Sequence, residues 1–387
     1  MKHKEFTNHL DESILTSRIN ERKSDIRSAY YRDTTAIIHS SPFRRLKHKT
    51  QVFFAPSNDH ICTRIEHVLH VASIASAICQ GLGLNTDLAW AIGMGHDLGH
   101  TPFGHVGEKI INDLMVNKGL IPFEHEINSL RVIDFLSLNG KGLNLTYAVR
   151  DGIVSHNGEY FLQTIIPEHT RKNLTSITTR KNLIPSTWEG VVVRFSDQIA
   201  YLGRDFEDAC RLNVITKQQL PQIVATVLGE TNSKIIDSLV QDVIAHSSPE
   251  RGITFSDSIY KAVEEFKKFN YEHIYLSPML RGYKEYFTRL ISLITDYLYE
   301  LFIRFGFDTN QYRNEKNMLS IGFSQYLVDM KEGYEKKDGG YERIVFDYIA
   351  GMSDNFALDC ADEILKPHHL NDDIEKSFTG KWFDAKK

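Results

Sequence analysis

The stretch GHDLGHTPFGH, from Gly95 to His105, gathers three histidines, an aspartate and several helix-breaking residues. Apolar residues at helical spacing, Leu88, Ala89 and Ile92, precede it, so a helix is predicted that turns His96 inward before the glycines interrupt it. A neutral imidazole nitrogen beside a carboxylate oxygen suits a divalent cation that is not thiophilic. A bare His-Asp pair also arises by chance, so this dipeptide alone leaves a metal site open.

A second histidine lies on the inward face of the preceding helix. Val71, Ile74 and Ile78 recur at three- and four-residue spacing, and His67 shares their side. A buried imidazole must be hydrogen-bonded or bound to something, so a satisfied core histidine is the alternative to a ligand. Arg64, one turn earlier, is placed to reach a phosphate beside that ligand, or else forms a surface ion pair.

An aspartate interrupts the apolar segment VVVRFSDQIAYL. Asp197 is expected to be buried there, and a buried carboxylate needs a cationic partner. Tyr201, Arg204 and Asp208 continue a polar stripe along the same helix. The partner is therefore a metal ion or, in the simpler interpretation, Arg204.

Further along the chain, His100, His105, Glu108 and His125 are candidate acid-base groups, because imidazole titrates near neutral pH. Taken one at a time, each is more often a structural or surface residue.

Composition narrows the class of protein. The 387 residues are 42% hydrophobic and 25% charged with a formal net charge of -5, which indicates a soluble globular chain without general attraction for polyanions. The four cysteines lack CxxC spacing, and we find no signal peptide or apolar run long enough to span a membrane. We expect a cytoplasmic protein without membrane association.

Periodic apolar segments recur through the chain and predict an all-α fold. We expect an N-terminal basic arm and helix over 1–57 that contributes to the pocket, and a metal-binding core over 58–213. A helical region over 214–366 should pack on that core, with a charged tail over 367–387. The polar stretch from Asn157 to Thr187 is predicted as a long exposed loop or small excursion, and as a candidate substrate flap. One helix is expected from Tyr341 to Ile364.

Four motifs occur in the order of one known family. They are TRIEH (Thr63 to His67), GHDLGHTPFGH, FEHEINS (Phe123 to Ser129) and SDQIAYLGRDFEDA (Ser196 to Ala209). The chain resembles HD-domain deoxynucleoside triphosphate triphosphohydrolases of the dGTPase-like group. FRRLKHKTQVF (Phe43 to Phe53) and DYIAGMSD (Asp347 to Asp354) extend the likeness over nearly the whole chain. The resemblance implies the HD/PDEase-like helical fold with additional C-terminal helices.

The resemblance also implies roles for individual residues. The metal site would comprise His67, His96, Asp97 and Asp197; His105 would be catalytic with His125 and Glu108 nearby; and substrate would contact Arg64, Gln51, Tyr201, Asp205 and His100. Gln51 would sense the sugar 3'-hydroxyl, and Tyr201 would disfavour a ribose. Three positions depart from the usual pattern: His70, Thr101 and Gln198. They leave base preference and any phosphate contact at position 198 open.

The implied reaction is water attack on the α-phosphate of a dNTP, releasing a deoxynucleoside and inorganic triphosphate. A divalent ion, Mn or Mg, or else Fe, Ni, Co or Zn, would polarise that phosphate, and His105 would protonate the leaving oxygen. A dNTP effector, single-stranded DNA and a homo-oligomer, with a hexamer as one size, are implied as partners.

Two alternatives stay open. One is another HD phosphohydrolase, a 5'-nucleotidase or phosphodiesterase. The other is a nucleic-acid-binding regulatory protein whose N-terminal basic residues track phosphates. Those residues are Arg22, Lys23, Arg27, Arg32, Arg44, Arg45, Lys47 and Lys49.

Overall fold

The computed structural model describes residues 5–23, 25–54, 58–158, 161–336 and 341–366. Within them the regular secondary structure is helical apart from two short strands, as the sequence predicts. The helices are α1 (Glu12–Leu15), α2 (Ala29–Ile38), α3 (Ser41–Arg45), α4 (Arg64–Leu82), α5 (Thr86–Gly95), α6 (Gly104–Asn117), α7 (His125–Arg131), α8 (Tyr147–Val154), α9 (Trp188–Arg211), α10 (Gln222–Val227), α11 (Asn232–His246), α12 (Asp257–Asn270), α13 (Pro278–Phe305), α14 (Thr309–Tyr312), α15 (Met318–Lys336), α16 (Ile344–Ala350) and α17 (Asp354–Leu365). Two π-helical turns, Val132–Leu136 and Tyr271–Tyr275, extend α7 and α12.

The described side chains form two hydrophobic cores. The first lies among α4, α5, α8 and α9 and extends to Leu280 of α13. The second lies among α13, α15, α16 and α17, and α6 packs on it through Ile110, Ile111 and Met115. The first core therefore continues past residue 213, and the domain boundary expected there stays a prediction.

Helices α4, α5 and α9 pack together and position the site. Gly93 permits the closest approach, because a Cβ atom there would lie 2.7 Å from the Cα atom of Ala72 in α4. By length and composition α4 could cross a membrane. Its inward residues Val68, Val71 and Ala75 are instead buried in the first core, which accounts for its apolar composition.

The structure adds a strand to one predicted segment and divides another. The stretch from Asn157 to Thr187, predicted as a long exposed loop or small excursion, contains strand β1 (Thr164–Ile165), which pairs antiparallel with β2 (Ile253–Thr254). The predicted helix from Tyr341 to Ile364 is two helices, α16 and α17, since the chain breaks at Gly351 and Ser353 caps α17 by accepting a hydrogen bond from Phe356 N. The predicted tail over 367–387 lies outside the described residues.

Candidate active site and metal centre

The N-terminus of α4 aims two polar side chains into the protein. Thr63 caps the helix, and the Glu66 carboxylate accepts a 2.8 Å hydrogen bond from the Thr63 backbone N–H. Arg64 and His67 follow one turn apart, and both are buried, at 1% and 3% exposure. Their common orientation follows from the helical repeat that the sequence displays.

The three helices bring His67, His96 and Asp197 into one cluster. His67 Nε2 lies 2.9 Å from Asp197 Oδ1, and His96 Nε2 lies 3.9 Å from the same oxygen. One potential ligand atom from each residue lies within 4.8 Å of the others. Such a group of two imidazoles and a carboxylate has the donor set of a divalent cation site.

The orientation of His96 supports a cation at this position. Its Nδ1 donates to the Gly93 carbonyl at 2.7 Å, so in the neutral ring Nε2 carries the lone pair. This Nε2 is buried and has no hydrogen-bond partner, an arrangement that costs free energy unless an ion binds there. The residues present therefore fit a divalent metal.

Asp97 lies between the cluster and Arg64. Its Oδ2 accepts a 2.5 Å hydrogen bond from Arg64 Nη1, while Oδ1 lies 3.6 Å from His96 Nε2. Burial would raise the pKa of Asp97, but Arg64 and the nearby histidines hold it well below its usual value. The carboxylate is thus negatively charged and can bind a cation. Nε and Nη2 of Arg64 are buried without a hydrogen-bond partner.

The predicted acid-base residues form a chain beside this cluster. His100 Nε2 lies 4.0 Å from Asp97 Oδ1, and the His100 ring stacks on that of His125 with centroids 4.2 Å apart. Glu108 joins the two other histidines: its carboxylate lies 3.3 Å from His105 Nδ1 and 2.9 Å from His125 Nδ1. Burial would lower the pKa of His125, but Glu108 and Glu126 raise it to about 9. The His105 side chain is 66% exposed, so it is the member of the chain that a ligand can reach.

The predicted substrate contacts lie along α9 and beside α4. Burial raises the pKa of Asp205 to about 7, and Tyr275 partly offsets this by donating to Oδ2. Tyr201, one turn after Asp197, is partly buried, and burial raises its pKa. Gln51 is 8% exposed and its Oε1 has no hydrogen-bond partner, so a polar group could bind there.

Two further residues belong to this region and were not predicted. His156, which follows α8, is buried with its ring centroid 4.9 Å from that of His96. Like His96, it follows an apolar helical segment. This pattern is visible in the sequence and could have identified His156. Lys267 of α12 lies 3.4 Å from Gln198 Oε1 and over the rings of Phe161 and Tyr201. No local pattern indicated that Lys267 reaches this site.

Two of the basic residues considered for a phosphate-tracking arm are buried and cannot contact DNA phosphates. Lys49 is 3% exposed, and its ammonium donates to the carbonyls of His100 and Ala350. Arg32 is 9% exposed and pairs with Asp25 at 3.3 Å. The basic residues therefore do not form one continuous exposed stripe.

The fold and the cluster together define an HD-domain protein. Residues 64–202 match the HD domain family, and residues 253–363 match the phosphohydrolase-associated domain that accompanies it. The metal-ligand candidates all lie in the first of these two matches.

Relatives extend the similarity over most of the chain. A deoxyguanosinetriphosphate triphosphohydrolase-like protein of Caldanaerobacter subterraneus subsp. tengcongensis is 39% identical, over 95% of this chain and 97% of its own. Proteins of the same description from Desulfatibacillum aliphaticivorans and Clostridium tetani are 37% and 35% identical, each over 90% of this chain and over 90% and 89% of their own. The chain belongs to this deoxyguanosinetriphosphate triphosphohydrolase-like family of HD-domain proteins.

Proposed function

We propose that the protein hydrolyses deoxynucleoside triphosphates to a deoxynucleoside and inorganic triphosphate, by water attack at the α-phosphate. The observation that carries the proposal is the position of the His100–His105–Glu108–His125 chain beside Asp97, which itself borders the cluster of His67, His96 and Asp197. Phosphoryl chemistry needs both a concentrated positive charge and a proton source, and the two groups meet here.

The metal cluster would hold a divalent ion through His67, His96, Asp97 and Asp197. When bound, such an ion stabilises negative charge on the phosphate and makes water a better nucleophile. The ion we expect is Mn or Mg, with Fe, Ni, Co and Zn as other candidates for the same donor set.

His105 is the proposed general acid. It is exposed to an incoming ligand, and Glu108 orients its ring through Nδ1, which leaves Nε2 to give a proton to the departing 5'-oxygen. His125 Nδ1 donates to the other oxygen of Glu108, Oε1, at 2.9 Å and keeps that carboxylate charged. Burial would raise the pKa of Glu108, but the histidines around it hold the pKa well below its usual value. We therefore assign Glu108 and His125 to the orientation of His105.

The substrate would lie across α9 with its phosphates toward Arg64. Arg64 has two buried nitrogen atoms without partners, and these can donate to phosphate oxygens. Lys267 adds a second positive charge next to Gln198, the position where a phosphate contact was in doubt. Tyr201, Asp205, Gln51 and His100 are the proposed contacts to the sugar and phosphates.

Regulation and assembly are also proposals. A dNTP effector, single-stranded DNA and a homo-oligomer, which could be a hexamer, follow from the family likeness. Binding of single-stranded DNA that weakens steeply with rising salt would support DNA as a partner. No binding even at low salt would exclude it. A molecular mass in solution equal to that of one chain would exclude the proposed homo-oligomer.

The test is product analysis after incubation of the Mn-supplemented protein with each dNTP, alone and in mixtures, because an effector is among the proposals. We expect deoxynucleoside and intact triphosphate. Monophosphate with pyrophosphate would show that a different bond is cut. No turnover of any dNTP, but turnover of monophosphates or cyclic nucleotides, would favour another HD phosphohydrolase.

A further inference from the structure

Two buried imidazoles face each other next to the metal cluster. His125 Nε2 and His156 Nε2 are 3.3 Å apart, and the two residues are 3% and 1% exposed. They reach this position from different helices, since His125 begins α7 and His156 follows α8.

The opposite nitrogen of each ring is already engaged. His156 Nδ1 lies 2.6 Å from the Ile153 carbonyl, which can only accept, so this nitrogen carries a proton. His125 Nδ1 lies 2.9 and 3.1 Å from the two oxygens of the Glu108 carboxylate, which likewise accepts. In their neutral forms the two rings therefore direct the lone pairs of both Nε2 atoms at each other, and something positive must lie between them.

The spacing suits a single metal ion. Two nitrogens, each about 2.0–2.1 Å from one ion at a tetrahedral angle, are separated by about 3.3–3.4 Å. A carbonyl or carboxylate on the Nδ1 atom is the usual support of a metal-binding histidine, and His96 has the same support from Gly93. His156 and His125 thus each have an oxygen acceptor on Nδ1, as does His96, which belongs to the first cluster.

Carboxylates complete the surroundings. One potential ligand atom each from His96, Asp97 and His156 lies within 4.8 Å of the others, and Asp97 forms a similar group with His100 and His125. Asp97 therefore lies between the first cluster and the facing pair. Glu126 forms a third group with His125 and His156, and its Oε2 is buried without a hydrogen-bond partner. These charges would offset those of two ions held close together.

We infer that His125 and His156 hold a second divalent cation, with Asp97 as a carboxylate shared between the two ions. This inference goes beyond the proposed function, because it concerns ion binding in the absence of any substrate. The competing arrangement is a single proton shared by the two rings, in which case no second ion binds.

Metal stoichiometry separates the two arrangements. The full chain is stripped with chelator, titrated with Mn²⁺, and bound metal per chain is counted by elemental analysis after desalting. We expect two ions in the wild type and one in His156→Ala, whereas His246→Ala, which changes a partly exposed histidine on α11, should keep two. One ion in the wild type, or two retained by His156→Ala, would overturn the inference.

A measurement on the wild type alone covers the case in which His156→Ala fails to fold. Electron paramagnetic resonance should show the six-line signal of isolated Mn²⁺ at the first equivalent and a broad exchange-coupled signal at the second. Two equivalents of uncoupled six-line signal would refute a shared Asp97. Both measurements are made without nucleotide, so failure of the proposed dNTP hydrolysis would not affect their outcome.

Discussion

The carboxylate of Asp354 accepts a 2.9 Å hydrogen bond from the backbone N–H of Phe103, across 251 positions of sequence. Its second oxygen accepts a 2.8 Å bond from the backbone N–H of Thr50. Phe103 has a left-handed backbone, with φ of 62°, and stands two residues before His105. The first residue of α17 therefore holds both the turn that presents His105 and the segment that carries Gln51.

Replacing this carboxylate should loosen the turn. In Asp354→Ala two buried N–H groups and the Thr50 hydroxyl lose their acceptor. At about 1–3 kcal/mol for each unsatisfied group, we expect the free energy of unfolding to fall by several kcal/mol. Turnover should fall as well, because His105 is no longer held in place. Urea denaturation and kcat measure the two effects, with Asp359→Ala, an exposed change on the same helix, as the control. Equal denaturation midpoints for the two variants would show that the contact contributes nothing to stability.

His105→Ala tests the assigned proton donor. Loss of a general acid typically lowers kcat by about 10²–10⁴-fold, and the bound metal should be unchanged because His105 is not a proposed ligand. The comparison is with His60→Ala, which removes an exposed histidine before α4. Wild-type turnover by the His105 variant would exclude His105 from the reaction.

Lys267 should contribute to binding of the triphosphate rather than to proton transfer. Lys267→Met keeps most of the side-chain length but removes the charge, and losing a charge-assisted hydrogen bond of about 1.5–3 kcal/mol would raise KM by about 10–100-fold. We expect Lys267→Arg to retain part of the affinity. Lys268→Met, the exposed neighbour on α12, provides the matched control. If KM for dNTP were the same in both Met variants, Lys267 would have no role in phosphate binding.

Asp205 should make stability depend on pH. Burial raises the pKa of its carboxyl to about 7, against an ordinary value of 3.8 in the unfolded chain. Between these values the native state holds a proton that the unfolded state has lost, so this residue's contribution to stability falls as pH rises from about 4 through 7. Its size is on the order of a few kcal/mol.

Urea denaturation of metal-free protein at several pH values measures this dependence. Asp205→Asn should show a flatter decline than the wild type between pH 5 and pH 8, because the amide does not titrate. Parallel curves for the two proteins would place the titrating group elsewhere.

The sequence alone determined the features that depend on local periodicity. Apolar residues three and four apart marked most of the helices and turned His67 inward, because side-chain direction along a helix follows from spacing. The Gly95 to His105 stretch and the ordered motifs also indicated the metal-ligand candidates. One local prediction was wrong, because the predicted helix from Tyr341 to Ile364 is interrupted at Gly351. The short strand β1 was not predicted, since it forms by pairing with β2, which is distant in the sequence.

Only the tertiary structure decided which residues meet. His125 and His156 are 31 positions apart, and the distance between their Nε2 atoms depends on how α7 packs on α8. Lys267 enters the site from α12, and Asp354 reaches Phe103 from α17. No local sequence pattern predicts such long-range contacts, since they result from the packing of helices that are far apart in the sequence. Local sequence could thus mark the candidate ligands, whereas helix packing determined their neighbours and the pKa values that follow from burial.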